Sequence, residues 1–169
     1  MTLDPAIIEQ LRRSGIRIDR EGEFQHEGAP VTHVGLREAL FRWLDRSPDG
    51  RWILRLDAQR FVYVDVDDTP LVARAARVEG GAVFIALSES AEERLDPATL
   101  TIDEQGVMRC WVRGGRLEAR LANSAAAVLA DLIDYDVDGD GGVGRRPGRA
   151  VLTIAGQRFP LGPRSAAPP

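Results

Sequence analysis

The densest concentration of chemically capable side chains is one acidic run, Asp134, Asp136, Asp138 and Asp140, the last three within Asp136-Val137-Asp138-Gly139-Asp140-Gly141-Gly142-Val143. Oxygen donors at positions 1, 3 and 5, glycine at position 6 and an apolar residue at position 8 match the opening of a calcium loop. Carboxylates this close repel one another, and a cation relieves the repulsion. Position 12, where such a loop places a bidentate carboxylate, is Pro147. The pattern leads us to expect either weak Ca2+ binding at millimolar ion or a solvated acidic turn. A second candidate is the triplet Gln59-Arg60-Phe61, which recurs as Gln157-Arg158-Phe159. A guanidinium presents a planar fork of donors that suits phosphate or carboxylate. Arg60 and Arg158, with Gln59 and Gln157 beside them, are therefore candidates for holding a small anion. The plainer alternative is two exposed hairpin arginines, each followed by a phenylalanine that fills its own core.

Other reactive groups point away from catalysis. All 22 basic residues are arginine, so Schiff-base lysine chemistry and a Walker-type phosphate loop have no ammonium to use. Cys110 is the single cysteine and sits in the strand-like run Val107-Met108-Arg109-Cys110-Trp111-Val112, which suggests a buried structural thiol. His26 and His33 flank Pro30 with no acid or thiol at helical spacing and read as surface imidazoles. Asp67 and Asp68 are adjacent on an extended segment and so point to opposite sides, a poor arrangement for an acid and base pair. We assign no catalytic residue. A net charge of -4 with interleaved acids and bases offers no basic face for nucleic acid. No apolar stretch approaches the roughly 20 residues of a membrane span, and no charged-then-apolar signal opens the sequence. A cytoplasmic protein is expected.

The elements that would position these groups follow from periodicity. Asp4 and Pro5 start a helix whose stripe is Ile7, Ile8 and Leu11, and Ser14-Gly15 ends it. Residues 16–19 and 23–27 alternate as a hairpin around Gly22. Leu36, Leu40, Phe41, Trp43 and Leu44 form one face of a second helix, stopped by Pro48-Asp49-Gly50. Residues 52–56 with 60–66, and 71–78 with 82–87, make two further hairpins, and 88–97 reads as an acidic irregular stretch.

From Leu100 the order begins again. Ile16-Arg17-Ile18-Asp19-Arg20-Glu21-Gly22 matches Leu100-Thr101-Ile102-Asp103-Glu104-Gln105-Gly106 at an offset of 84, and the final hairpins match at an offset of 98. A helix over Asn123 to Tyr135, with Val128, Leu129, Leu132 and Ile133 on one face, answers the first. The difference between the offsets fits in the loop Asp136 to Pro147. The sequence thus predicts an α+β fold of two diverged repeats, each of strands, helix and hairpin, in mainly antiparallel sheets. The expected organisation is an N-terminal helix at 1–15, a first repeat with an extra hairpin at 16–98, a second repeat at 99–162, and an unfolded tail at 163–169.

The runs Phe24-Gln25-His26-Glu27-Gly28-Ala29-Pro30-Val31, Val66-Asp67-Asp68-Thr69-Pro70-Leu71 and Gln157-Arg158-Phe159-Pro160-Leu161-Gly162 resemble the bacterial domain of unknown function 1285 family, over about residues 15 to 162. The resemblance implies a duplicated α+β fold whose second half is similar to a pleckstrin-homology barrel. It also implies a small-molecule site between the halves, a nucleotide-like ligand and a role in signalling. The leading expectation is a non-enzymatic module for a small anionic or nucleotide-like ligand. A protein interaction module is the alternative, with exposed sheet edges and the proline-containing tail as its support.

Overall fold

A computed structural model of the chain describes residues 12–136 and 148–164. The N-terminal helix expected over residues 1–15 lies outside the described residues up to Leu11, and the tail does so from Ser165. The chain divides into two compact units, Met1–Leu71 and Val72–Pro169. Among the described residues no helix is long and apolar enough to cross a membrane.

The first unit carries β1 (Arg13–Ile18), β2 (Phe24–His26), β3 (Ala29–Pro30), α1 (Val34–Trp43), β4 (Leu44–Arg46), β5 (Trp52–Arg55) and β6 (Phe61–Val66) in one sheet of order β3-β2-β1-β6-β5-β4. Two antiparallel meanders, one before and one after the helix, are joined through the parallel pair β1 and β6. The helix begins at His33, whose Nδ1 accepts the Leu36 N–H at 3.2 Å and so satisfies one of the orphan donors of the first turn. Leu40 and Phe41 are buried, and Phe41 meets Phe24 edge to face with ring centroids 4.7 Å apart.

The second unit carries β7 (Leu71–Glu79), β8 (Ala82–Leu87), β9 (Glu92–Arg94), a 3-10 turn at Pro97–Thr99, β10 (Thr101–Ile102), β11 (Met108–Val112), β12 (Leu117–Leu121), α2 (Asn123–Ala130), β13 (Ile133–Tyr135), β14 (Ala150–Ile154) and β15 (Gln157–Pro160). Six strands form a sheet of order β10-β11-β12-β7-β8-β9, and β13-β14-β15 form a separate three-stranded sheet. The expected barrel does not close among the described residues. Side chains of β9 and of the 3-10 turn instead reach the end of β11 and the residue after it. The Trp111 N–H donates to Thr99 Oγ1 at 3.2 Å and the Arg113 N–H to Glu93 Oε2 at 2.8 Å.

Three expectations need correction. The hairpin at 71–87, assigned to the first repeat, is hydrogen-bonded into the second unit's sheet beside β12. The first strand starts at Arg13, inside the span given to the N-terminal helix. Each helix also ends earlier than its apolar periodicity suggests. Leu44 takes an extended conformation and pairs with Leu54, and Ile133 pairs with Leu152, so both residues open strands.

The turns after β1 and β10 have the same hydrogen bonds. Asp19 Oδ1 accepts from the Glu21 and Glu23 N–H groups and its Oδ2 from Gln25 Nε2. Asp103 Oδ1 accepts from the Gln105 and Val107 N–H groups and its Oδ2 from Arg109 Nη1. Gly22 and Gly106 each hold φ at 79°, a left-handed conformation that a side chain would strain. The strand registers agree as well, with Ile18 opposite Phe24 and Ile102 opposite Met108. Even the parallel closure between β1 and β6 has a reduced counterpart, a single parallel bridge from Thr101 to Gly162 with the Ile102 N–H donating to the Gly162 carbonyl at 3.0 Å.

This turn sets a pH dependence. The Arg109 guanidinium, then the Val107 N–H, hold the Asp103 carboxyl below its ordinary value. A depressed folded-state value means the stabilisation is complete above the unfolded carboxylate range near pH ~4 and is lost as pH falls through the folded value. Asp103→Asn should therefore flatten the acid limb of the stability curve measured by urea unfolding. An unchanged acid limb would show that the turn carries no linkage.

Candidate functional site

The distinctive irregularity of the first unit lies where β1 meets β6. Arg13 is opposite Tyr63 and Arg17 is opposite Asp65, so four steps along β1 span two along β6. The excess is taken up at Ser14-Gly15-Ile16, and Gly15 makes it feasible with φ at 67°. Ser14 stitches the gap, its hydroxyl donating to the Tyr63 carbonyl at 2.6 Å and accepting from the Ile16 N–H at 3.1 Å.

Beside this bulge lies a groove of about 550 Å³ lined by Arg13, Ser14, Arg51, Trp52, Tyr63 and Asp65, among others. Arg51 lies over the Tyr63 ring with its guanidinium carbon 3.8 Å from the centroid. It also pairs with Asp49 at 2.8 Å and donates to the Tyr63 hydroxyl. These contacts fix the direction of its fork. Arg13 is exposed, and its side chain makes no ion pair or hydrogen bond among the described residues. The groove thus combines one anchored guanidinium, one guanidinium with no partner among the described residues, and two aromatic walls. That set can hold an anion and stack a planar ring.

The residues singled out by sequence are placed differently. Arg60 is exposed in the turn between β5 and β6 and pairs with Asp57 at 2.5 Å. The Gln59 N–H, then Arg60, push the Asp57 carboxyl down to about 2. Gln59 therefore contributes its backbone to this turn. Arg158 pairs with Asp136, so a candidate anion ligand and a candidate metal ligand satisfy each other. The two arginines do not hold equivalent ladder positions. Leu54 pairs with Val62 whereas Leu152 pairs with Phe159, and Arg158 stands opposite Thr153 where Phe61 stands opposite Arg55. Five residues, 56–60, separate β5 from β6 where two, Ala155-Gly156, separate β14 from β15, and the two ladders differ in register by one step, which exchanges the faces of a strand. Gln157 opens β15 opposite Ile154. Of the metal candidates, Asp134 is exposed in β13, while Asp138 and Asp140 lie outside the described residues.

Sequence reasoning overlooked Arg13, Arg51, Trp52 and Tyr63. The available signal was Ser14-Gly15 within a strand, which reads equally well as a helix stop. Cys110 is buried in β11 as expected. Burial, then the nearby Glu93 and Glu118 carboxylates, push its thiol up to about 12, which leaves it without nucleophilic character at neutral pH.

Two solved structures share this architecture. A DUF1285 family protein from Silicibacter pomeroyi is similar over 89% of this chain and 81% of its own, with 22% identity and a TM-score of 0.68. A DUF1285 family protein from Shewanella baltica is similar over 70% of this chain and 91% of its own, with 15% identity and a TM-score of 0.59. The resemblance drawn from the sequence is thus matched by a shared fold. No family model matches the sequence, and no curated relative matches it.

Proposed function

We propose that the chain is a non-enzymatic binding module for a small anionic ligand of nucleotide type, seated in the groove along the β1–β6 bulge. The observation that carries this reading is the pairing of Arg13 and Arg51 with Trp52 and Tyr63 in one groove. Guanidiniums suit phosphate oxygens, and aromatic faces suit a base without demanding its identity. Ser14, the hydroxyl nearest the arginines in sequence, is committed to the strand junction, so the groove offers recognition in place of a nucleophile.

The two units also fit diverged copies of one strand, helix and strand ancestor. The twin aspartate turns and the agreeing registers around each helix support that reading. The side-chain ties from Thr99 and Glu93 to the end of β11 and the residue after it support reading the larger sheet of the second unit as an opened relative of a pleckstrin-homology barrel.

The test is a thermal-shift panel of nucleoside mono-, di- and triphosphates, with inorganic phosphate and pyrophosphate as controls. A ligand that binds only the native state at 100 times its Kd adds about 2.7 kcal/mol, enough to move the melting temperature by several degrees. At least one nucleotide should do so, and Arg13→Ala should weaken it tenfold or more while Arg60→Ala leaves it unchanged. Silence across the panel at millimolar concentration, or indifference to Arg13→Ala, would overturn the assignment.

A further inference from the structure

We infer that a second, open pocket of the first unit, along the connection from β3 to α1, binds a medium-chain aliphatic carboxylate. The cavity measures about 480 Å³, within the range of small-molecule sites, and is lined by Ile16, Pro30, Val31, Leu36 and Leu40 with His26 and His33. Its remaining lining residues are Ala29 and Thr32, so it contains no aromatic carbocycle, no guanidinium and no carboxylate. Flexible alkyl groups fill an aliphatic surface of this kind, and a planar ring has nothing to stack on. Leu36 keeps 45% of its surface exposed in the first turn of α1, and neighbouring Val34 keeps 66%. Such apolar exposure on a helix start is relieved by an apolar occupant.

The polar end of the ligand is set by the two imidazoles. His33 Nδ1 is already an acceptor for the Leu36 N–H, which places the ring proton on Nε2 and makes that nitrogen a donor. Neither His33 Nε2 nor the His26 side chain has a hydrogen-bond partner among the described residues. The His26 ring lies over Gly15, where a Cβ would come within 3.8 Å of its Cδ2 and Nε2. Two imidazole donors beside an alkyl-lined cavity match a single carboxylate. A phosphate dianion would lack the permanent positive charge that the neighbouring groove supplies through Arg13 and Arg51. The two sites therefore take different ligands.

His26 and His33 are the only histidines in the chain, so the imidazole Hε1 region of an NMR spectrum contains two signals. Titration with decanoate below its micelle concentration should move both signals saturably and raise the melting temperature. Decanol, which lacks the carboxylate, and acetate, which lacks the alkyl body, should each bind at least tenfold more weakly. His26→Gln and His33→Asn should each weaken decanoate tenfold or more. Asparagine retains the helix cap, so the second variant separates binding from folding. Arg13→Ala should leave decanoate binding intact. Immobile imidazole signals at millimolar decanoate, equal affinity for decanol, or full affinity in the double histidine variant would each overturn the inference.

Discussion

Replacing Arg164 with alanine is expected to cost the second unit about 2–3 kcal/mol of stability, because it leaves a buried carboxylate unpartnered. Glu118 is the second residue of β12, its side chain is 5% exposed, and both its oxygens are held by Arg164, Nε at 2.9 Å and Nη2 at 2.6 Å. The guanidinium itself is 46% exposed, so the loss falls below the roughly 3–5 kcal/mol typical of breaking a fully buried ion pair. Glu118→Gln in the Arg164→Ala background removes the stranded charge and should restore most of the stability. Cys110 supplies the measurement, being the single cysteine and buried in the adjacent strand. Its labelling by a maleimide requires opening of the unit. When reclosing outpaces labelling, the rate in Arg164→Ala should rise about 30- to 150-fold, following the opening equilibrium. An unchanged labelling rate, or no recovery with Glu118→Gln, sinks the argument.

In the first unit the corresponding weak point is Phe24. It is 1% exposed and meets Phe41 edge to face, so Phe24→Ala removes both a buried ring and the contact that seats α1 on the sheet. The expected loss is about 4 kcal/mol, whereas Phe24→Leu keeps most of the volume and should lose about 1–2 kcal/mol. Both losses are read from denaturant unfolding followed by tryptophan fluorescence, since Trp43 and Trp52 lie in this unit. Because α1 carries His33 and Leu36, the alanine variant should also lose the decanoate response at temperatures where it remains folded. A loss below about 1 kcal/mol for Phe24→Ala would mean that the helix is held elsewhere.

Much of this architecture is legible in the sequence because hairpins announce themselves locally. The turns at Gly22 and at Glu79-Gly80-Gly81 interrupt alternating strands, and the matching aspartates at 19 and 103 make the same turn, whereas Pro48-Asp49-Gly50, read as a helix stop, turns the chain between β4 and β5. The ends of the helices are not legible. Leu44 extends the spacing of Leu36 and Leu40, yet it is buried as the first residue of a strand. Periodicity cannot separate those cases, because both demand an apolar residue. The assignment of β7 and β8 fails for a different reason. The partner that draws β7 into the sheet, β12, is some 40 residues further along, and no local pattern reports it. Glu118 made that partner hard to see, since a charged residue in a strand looks solvent-facing until Arg164 is brought to it from the far end of the unit.

The candidate site was read less well than the fold. The repeated Gln-Arg-Phe is a true sequence match, but the longer loop at 56–60 slides it by one step, so identical letters occupy opposite faces. Arg13 and Arg51, far apart in sequence and unremarkable in type, meet only because β1 and β6 pair in parallel across the bulge.

That parallel pairing has a kinetic meaning as the chain is synthesised. β1 emerges from the ribosome early but finds one of its two neighbours only after Val66 has followed it, so half of its hydrogen bonds must wait for almost the whole unit to be made. Closing so long a loop is slow compared with zipping a local hairpin. The nascent segment from Arg13 to Ile18 therefore spends the interval with one edge bare, and Arg13 and Arg17 on that edge help keep it from joining another chain.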